Sequence, residues 1–247
     1  MTKYFTNNFS VINLYKKPYI DSEIVTQIIY GESFSVSQNN KKWFKIKIKE
    51  DGYKGFIQNK NYSEYLKPTH KINKLNAKIY RSPNKSKKIN ELSFGSKIKV
   101  TDKKFQFYKF AKGWINKKDI NIISFKEKNT FNKVKIFKNI RYKWGGKSFK
   151  GIDCSALIQV CLNFNNIFCP RDARDQVKYF KKNIKLNKIK KNDIIYWKSH
   201  VAVALSKKEL IHAYGPSKKT ITMNIVSTIN KIKNSTNLKI KSIKRIL

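Results

Sequence analysis

Three residues in the C-terminal half of the chain could together carry out nucleophilic chemistry: Cys154, His200 and His212. Cys154 opens a stretch in which Ala156, Leu157, Val160, Cys161 and Phe164 fall on one face at helical spacing. That spacing predicts a helix over 154–165 with the thiol in its first turn. The unpaired amides and positive dipole end of a helix N-terminus favour a thiolate, and a neighbouring imidazole would complete the activation. Alternating apolar residues predict three strands, 193–197, 200–205 and 210–214, the last two joined by the polar turn Ser206-Lys207-Lys208-Glu209. The two histidines then lie on adjacent strands of one hairpin. With period two, His200 shares its face with Ala202 and Ala204, which are small enough to admit a helix end carrying the thiol. The expected arrangement has the thiolate facing His200, and His212 orienting that imidazole through its other ring nitrogen.

Taken singly, each residue has a plainer reading: a cysteine opening a helix as a small buried hydrophobe, a strand histidine as a satisfied core residue. A zinc site built from Cys154, His200, His212 and Asp153 would lack the close ligand pairs of such sequences, so neither metal nor cofactor is expected. Cys161 fits the buried helix face and Cys169 a loop, both structural.

The elements ahead of this set divide into two textures. From about residue 129, Thr130 is placed to cap a helix over 131–139, with Phe131, Val134 and Phe137 on one side. The break Tyr142-Lys143-Trp144-Gly145-Gly146 follows, which neither a helix nor a strand interior tolerates. Residues 1–125 repeat themselves instead. Leu14-Tyr15, Pro18, Gly31-Glu32, Phe34, Val36 and Gly55-Phe56-Ile57 are echoed by Ile79-Tyr80, Pro83, Gly95-Ser96, Ile98, Val100 and Gly113-Trp114-Ile115. Between these marks apolar and polar residues alternate, which predicts two short all-β units of strands. The expected domains are 1–67, 68–128 and 129–247, and the fold class is α+β.

Composition narrows the function classes. A 40% apolar content suits a globular chain, and no apolar run reaches membrane-spanning length. The first residues lack the apolar core of an export signal, so the expectation is a cytoplasmic protein without membrane insertion. Three cysteines without a pairing pattern suit a reducing compartment. The net charge of +40 would ordinarily suggest nucleic acid, but 50 of the 55 basic residues are lysine and they accompany abundant Ile and Asn. Compositional drift accounts for that mixture, and no basic stripe interleaved with aromatics stands out. Against this background the acids are informative: from residue 129 on there are 27 basic and five acidic residues, four of them Asp153, Asp172, Asp175 and Asp193.

The string Tyr142-Lys143-Trp144-Gly145-Gly146, then Gly151-Ile152-Asp153-Cys154-Ser155-Ala156-Leu157-Ile158-Gln159, Pro170-Arg171-Asp172-Ala173 with Gln176, Asp193-Ile194-Ile195-Tyr196-Trp197, His200-Val201 and Leu210-Ile211-His212-Ala213 resembles the NlpC/P60 cysteine peptidases in order and spacing. The N-terminal repeats resemble bacterial SH3-like domains, which bind peptides or act as spacers. The resemblance implies two SH3-like β-barrels followed by a papain-like domain of helices packed on an antiparallel sheet. It implies Cys154 as nucleophile, His200 as base, His212 as orienting residue, and Tyr142 beside the oxyanion site with the Cys154 amide. Ala156, Ser199 and Lys143 depart from the family's usual residues without removing a reacting group.

Family members with two SH3-like domains and no signal peptide cleave the bond between γ-D-glutamate and a diamino acid in peptidoglycan-derived peptides with a free N-terminal L-alanine, in cell-wall recycling. The resemblance implies that activity here. Asp153, Ser155, Arg171 and Asp172 are the candidate substrate contacts; Asp153 either meets the substrate's ammonium or caps the helix, and Arg171 and Asp172 either touch substrate or pair with each other. A secreted autolysin of the same chemistry, or a non-catalytic binder of wall fragments or nucleic acid, are the alternatives. If the charge is drift, DNA should bind with affinity falling steeply with salt, and saturating DNA should leave peptide hydrolysis unchanged near physiological ionic strength. Inhibition that persists there would establish a nucleic-acid partner.

Overall fold

The computed structural model describes residues 2–85 and 87–246. The chain forms two compact units: residues up to Lys126 together with Lys147–Phe149, and Glu127–Gly146 together with the residues from Lys150 onward.

In the first unit, strands between Tyr4 and Glu64 form one seven-stranded sheet around Leu14, Ile28, Phe34, Ile46, Ile48 and Ile57. Strands between His70 and Ile122 form a five-stranded and a three-stranded sheet around a separate core of Ile72, Ile79, Leu92, Ile98 and Ile115. The sequence repeat is a structural one. Tyr15 lies opposite Phe56 in the ladder and meets Trp43 edge-on at 5.4 Å; Tyr80 lies opposite Trp114 and meets Phe107 edge-on at 5.8 Å. A lysine covers the closing aromatic each time, Lys45 over Phe56 and Lys109 over Trp114. Edge-on rings and an overlying cation both exploit the ring quadrupole, which explains why the repeat keeps aromatics at these marks.

The second unit is a six-stranded antiparallel sheet in the order Lys182–Asn183, Ser242–Arg245, Ile194–Tyr196, Val201–Ala204, Glu209–Tyr214, Lys219–Asn224. Three α-helices accompany it: α1 (Cys154–Phe164), α2 (Ala173–Tyr179) and α3 (Ile225–Thr236). Two expectations fail. Residues 131–139 form only a 3₁₀ turn over Val134–Phe137, although Phe131, Val134 and Phe137 are buried as anticipated. Their uniform spacing of three fits 3.0 residues per turn, and Asn139, at φ +68, turns away so that its amide bonds to the Thr220 carbonyl. The face carrying Ala202 and Ala204 is covered not by the thiol's helix but by Ile225 and Ile232 of α3. Small residues on a strand accept a crossing helix, and here it is the amphipathic C-terminal one.

Helix α1 is buried on nearly every side, so its start must be satisfied by protein groups. Asp153 does this. Its Oδ1 accepts from the Ala156 amide at 2.8 Å, the Ser155 hydroxyl at 3.1 Å and Arg171 Nη1 at 3.0 Å, while Oδ2 takes the second arm of the same guanidinium. Arg171 also donates to Ser155 Oγ at 2.8 Å. Arg171 thus pairs with Asp153, and the exposed Arg174 lies near the Asp172 carboxylate. Asp193 repeats the theme with Arg245, two 2.7 Å contacts that tie the last strand to the sheet. Removing one partner of a buried bidentate pair strands the other charge. Asp153→Asn should accordingly lower unfolding free energy by about 3–5 kcal/mol in urea titration. A loss below ~1 kcal/mol, on the scale of surface pairs, would show that the carboxylate charge is not what holds Arg171.

Candidate active site

Residues Arg141–Gly146 and Gly151–Asp153 interlock ahead of α1. Lys143 donates its amide to the Ile152 carbonyl at 3.1 Å, Ile152 to Arg141 at 3.0 Å, Gly146 to Lys143 at 2.9 Å and Asp153 to Gly146 at 3.2 Å. Gly145 sits at φ +67, and a Cβ on Gly146 would lie 2.6 Å from the Gly151 carbonyl oxygen, so both glycines of the Gly-Gly pair are required. This frame carries Tyr142, whose amide bonds to the Lys218 carbonyl at 2.8 Å and whose ring lies against Gly215.

Cys154 is buried at the start of α1, and hydrogen bonds from the backbone at Ser155 and Val201 reach its sulfur. Val201 directly follows His200, so the bond brings the thiol to the His200 end of its strand. His200 closes the tight turn from Trp197, whose amide bonds to the His200 carbonyl at 2.9 Å. Its Nε2 lies 2.8 Å from Nδ1 of fully buried His212, so Nδ1 is the ring nitrogen outside that contact. The His200 ring is enclosed by Trp197 at 5.5 Å, Tyr214 at 5.7 Å and His212 at 5.0 Å, and His212 stacks on Tyr214 at 4.7 Å.

The electrostatics of this enclosure differ from the sequence expectation. Burial pushes the Cys154 thiol up to about 12, the Asp153 carboxylate adds to the rise, and the Val201 and Ser155 hydrogen bonds and Arg171 only partly offset it. A helix dipole contributes at most ~2 kcal/mol, less than the several kcal/mol needed to bury an ion. Burial pulls His200 down to about 4; burial, His200 and Lys231 together hold His212 far below the usual histidine range. Near neutral pH the thiol and the imidazole both rest uncharged. Tyr142, raised first by burial and then by Cys154 and Asp153, keeps its proton next to the sulfur and stays a hydrogen-bond donor.

Of the residues singled out in the sequence, Cys154, His200, His212 and Tyr142 converge here. Asp153, Ser155 and Arg171 form the cluster that holds the helix start, and Asp172 is the residue that precedes α2. Sequence reasoning missed Trp197 and Tyr214, which enclose the imidazoles, and Lys231, whose Nζ lies 5.7 Å from the Tyr214 ring centroid. Tyr214 was legible in principle, two residues beyond His212 on the same strand face; Lys231, on a helix far along the chain, left no local sign.

A family model for NlpC/P60 matches residues 139–237, and one for the bacterial dipeptidyl-peptidase SH3 domain matches residues 14–61. The chain carries an NlpC/P60 domain, the domain of a family of cysteine peptidases, over residues 139–237. Among its relatives, a Bacillus subtilis γ-D-glutamyl-L-lysine dipeptidyl-peptidase is 27% identical over 85% of this chain and 78% of its own. The Lysinibacillus sphaericus dipeptidyl-peptidase 6 is 26% identical over 81% and 84%. In fold, the chain is similar to the crystal structure of an NlpC/P60 family protein from Bacillus cereus, with a TM-score of 0.83 over 100% of both chains at 19% identity. No helix among the described residues is long and apolar enough to cross a membrane.

A neutral thiol–imidazole pair has a definite pH signature. kcat/KM should stay level between about pH 5 and pH 8 and fall in acid only as His200 protonates, near 4. Cys154 should be alkylated slowly by iodoacetamide at neutral pH and faster only in strong base. Both imidazoles are depressed in the folded state, so the unfolded chain takes up protons that the folded one refuses. The stability they contribute is full above 6.5 and is lost as pH falls from 6.5 towards 4. An acid limb near pH 6.5 together with rapid alkylation at pH 7 would instead indicate a preformed ion pair.

Proposed function

We propose that this peptidase hydrolyses the γ-D-glutamyl–diamino acid bond of peptidoglycan-derived peptides with a free N-terminal L-alanine, in cell-wall recycling in the cytoplasm. The observation that carries the reading is the buried Cys154 thiol at the start of α1, beside a His200 whose far nitrogen is held 2.8 Å from His212. The substrate class is supported by relatives named for γ-D-glutamyl-L-lysine that match most of the chain, and by the SH3 model specific to bacterial dipeptidyl-peptidases. All three cysteines are free thiols, as a reducing compartment requires.

In this mechanism the thiol proton passes to His200 Nδ1 as sulfur attacks the γ-carbonyl carbon of D-glutamate. The oxyanion is met by the Cys154 amide and the Tyr142 hydroxyl, which its environment keeps protonated. His212 accepts from His200 Nε2–H and steadies the imidazolium. Collapse of the tetrahedral intermediate breaks the C–N bond, and the Nδ1 proton leaves with the amine of the diamino acid. Water then adds to the thioester with His200 as base, releasing the L-alanyl-γ-D-glutamate dipeptide and restoring the thiol. Asp153, engaged with Arg171 and the helix start, supports the nucleophile in this scheme, and the substrate's ammonium is met elsewhere.

For the domains, we propose SH3-like units over residues 1–67 and 68–128 ahead of the peptidase. The second assignment is supported by the repeated Tyr80–Phe107 and Tyr80–Trp114 pairings. Residues 147–149 are a correction within the peptidase segment, since they belong to the first unit.

Incubation with L-Ala-γ-D-Glu-diaminopimelate or its L-lysine counterpart, free and N-acetylated, tests the activity. Release of the dipeptide from the free-amine substrate at least about tenfold faster than from the blocked one is expected, and complete loss in Cys154→Ala with the melting temperature kept. Equal rates on both substrates would remove the amine requirement, and a fully active Cys154→Ala would remove the nucleophile assignment.

A further inference from the structure

Lys147–Phe149 separates from the residues that flank it in the chain. Gly146 and Gly151 belong to the second unit and close on each other there; residues 147–149, between them, belong to the first. Their anchorage is unusually polar for so buried a place. Lys147 and Glu32 are almost fully inaccessible, at 1% and 6% side-chain exposure, and Lys147 Nζ lies 2.8 Å from both carboxylate oxygens. The Lys147 amide donates to Gln27 Oε1 at 3.0 Å, and the Ser148 hydroxyl donates to the same oxygen at 3.2 Å. Gln27 is held in turn through its Nε2, which donates to Asn13 at 3.1 Å, and Glu32 Oε2 accepts the Ile29 amide at 2.9 Å. Hydrophobic packing would fix such a segment at lower desolvation cost; a buried pair instead specifies one register, because a slipped segment leaves two charges unpaired.

The position of this anchorage in the chain gives it a role. One arm of the excursion carries Tyr142, and the other runs through Ile152 and Asp153 to Cys154, the two arms being tied by the hydrogen bonds between Arg141–Gly146 and Gly151–Asp153. Slack between Gly146 and Gly151 would reach the Cys154 amide and Tyr142 together. We propose that Lys147–Phe149 is a tether by which the first unit fixes the backbone immediately ahead of the nucleophile, with Glu32 and Lys147 as positioning residues. The inference rests on Cys154 being the nucleophile, and it makes the first unit necessary for catalytic geometry whether or not that unit touches substrate.

Lys147→Met in the full chain leaves the Glu32 carboxylate buried without its ammonium; the double variant Glu32→Leu with Lys147→Met restores an uncharged pair. Three readouts are taken: amide hydrogen exchange over residues 141–154, kcat and KM on the free-amine peptide, and the alkylation rate of Cys154. For Lys147→Met, exchange in 147–154 should rise at least about tenfold while α3 and the sheet keep wild-type protection. In the same variant kcat should fall about tenfold or more with KM within about threefold, since a small displacement near reacting atoms acts on the transition state. The double variant should recover both to within about threefold. A purely structural pair would lower the melting temperature without this split between kcat and KM. Wild-type exchange over 147–154 in Lys147→Met, or raised exchange with kcat unchanged, overturns the proposal. Should Lys147→Met not fold, Glu32→Gln, which still accepts from Lys147 and Ile29, is read by the same criteria with a smaller shift. If the wild-type chain fails to cleave the peptide, the substrate reading falls, and exchange together with Cys154 alkylation still decides the tether.

Discussion

The site depends on one buried carboxylate. Asp153 caps α1, fixes the Ser155 hydroxyl and neutralises Arg171, all from a single side chain adjacent to Cys154. A helix buried on nearly all sides cannot leave its first amides to water, so the cap is obligatory. Arg171 is equally enclosed and would be intolerable without its partner. The same carboxylate opposes ionisation of the thiol beside it. Asp153 thus both fixes the position of the Cys154 thiol and adds to the rise that burial imposes on it.

Both effects shape the chemistry. With the thiol raised by burial and by Asp153, and His200 lowered by its aromatic enclosure, both partners rest uncharged. In the proposed mechanism, substrate meets an uncharged thiol and imidazole, proton transfer and attack are coupled, and the Tyr142 hydroxyl donates to the charge that develops. Burial within the enclosure of Trp197, Tyr214 and His212 keeps the His200 imidazole unprotonated across the neutral range.

The charge distribution follows a similar division. Lysines dominate the surface, where mostly exposed pairs such as Lys3–Glu64 contribute little. Two arginines of the second unit form bidentate pairs instead: Arg171 with Asp153 and Arg245 with Asp193 each engage both carboxylate oxygens. A planar guanidinium matches a carboxylate in a way an ammonium does not, which suits arginine to these positions in a lysine-rich chain. Lys147 with Glu32 is a buried lysine pair, and it lies where the chain passes between units.

The sequence by itself determined most local elements and pointed to the candidate reacting residues. Apolar spacing marked α1 and the strands around His200 and His212, and the internal repeat marked the paired β units of the first 125 residues, because helix, strand and repeat periods are local properties. The scarcity of acids beyond residue 129 singled out Asp153 and Asp193 as residues with a task, though not the partners they take. Only the tertiary structure decided those partners, the protonation of the thiol, the helix that covers Ala202 and Ala204, and the passage of residues 147–149 into the first unit. Each of these turns on burial and on contacts between residues distant in the chain. Periodicity shows which face of an element is apolar, but not what will lie against it, and the energy of a charge is set by what lies against it.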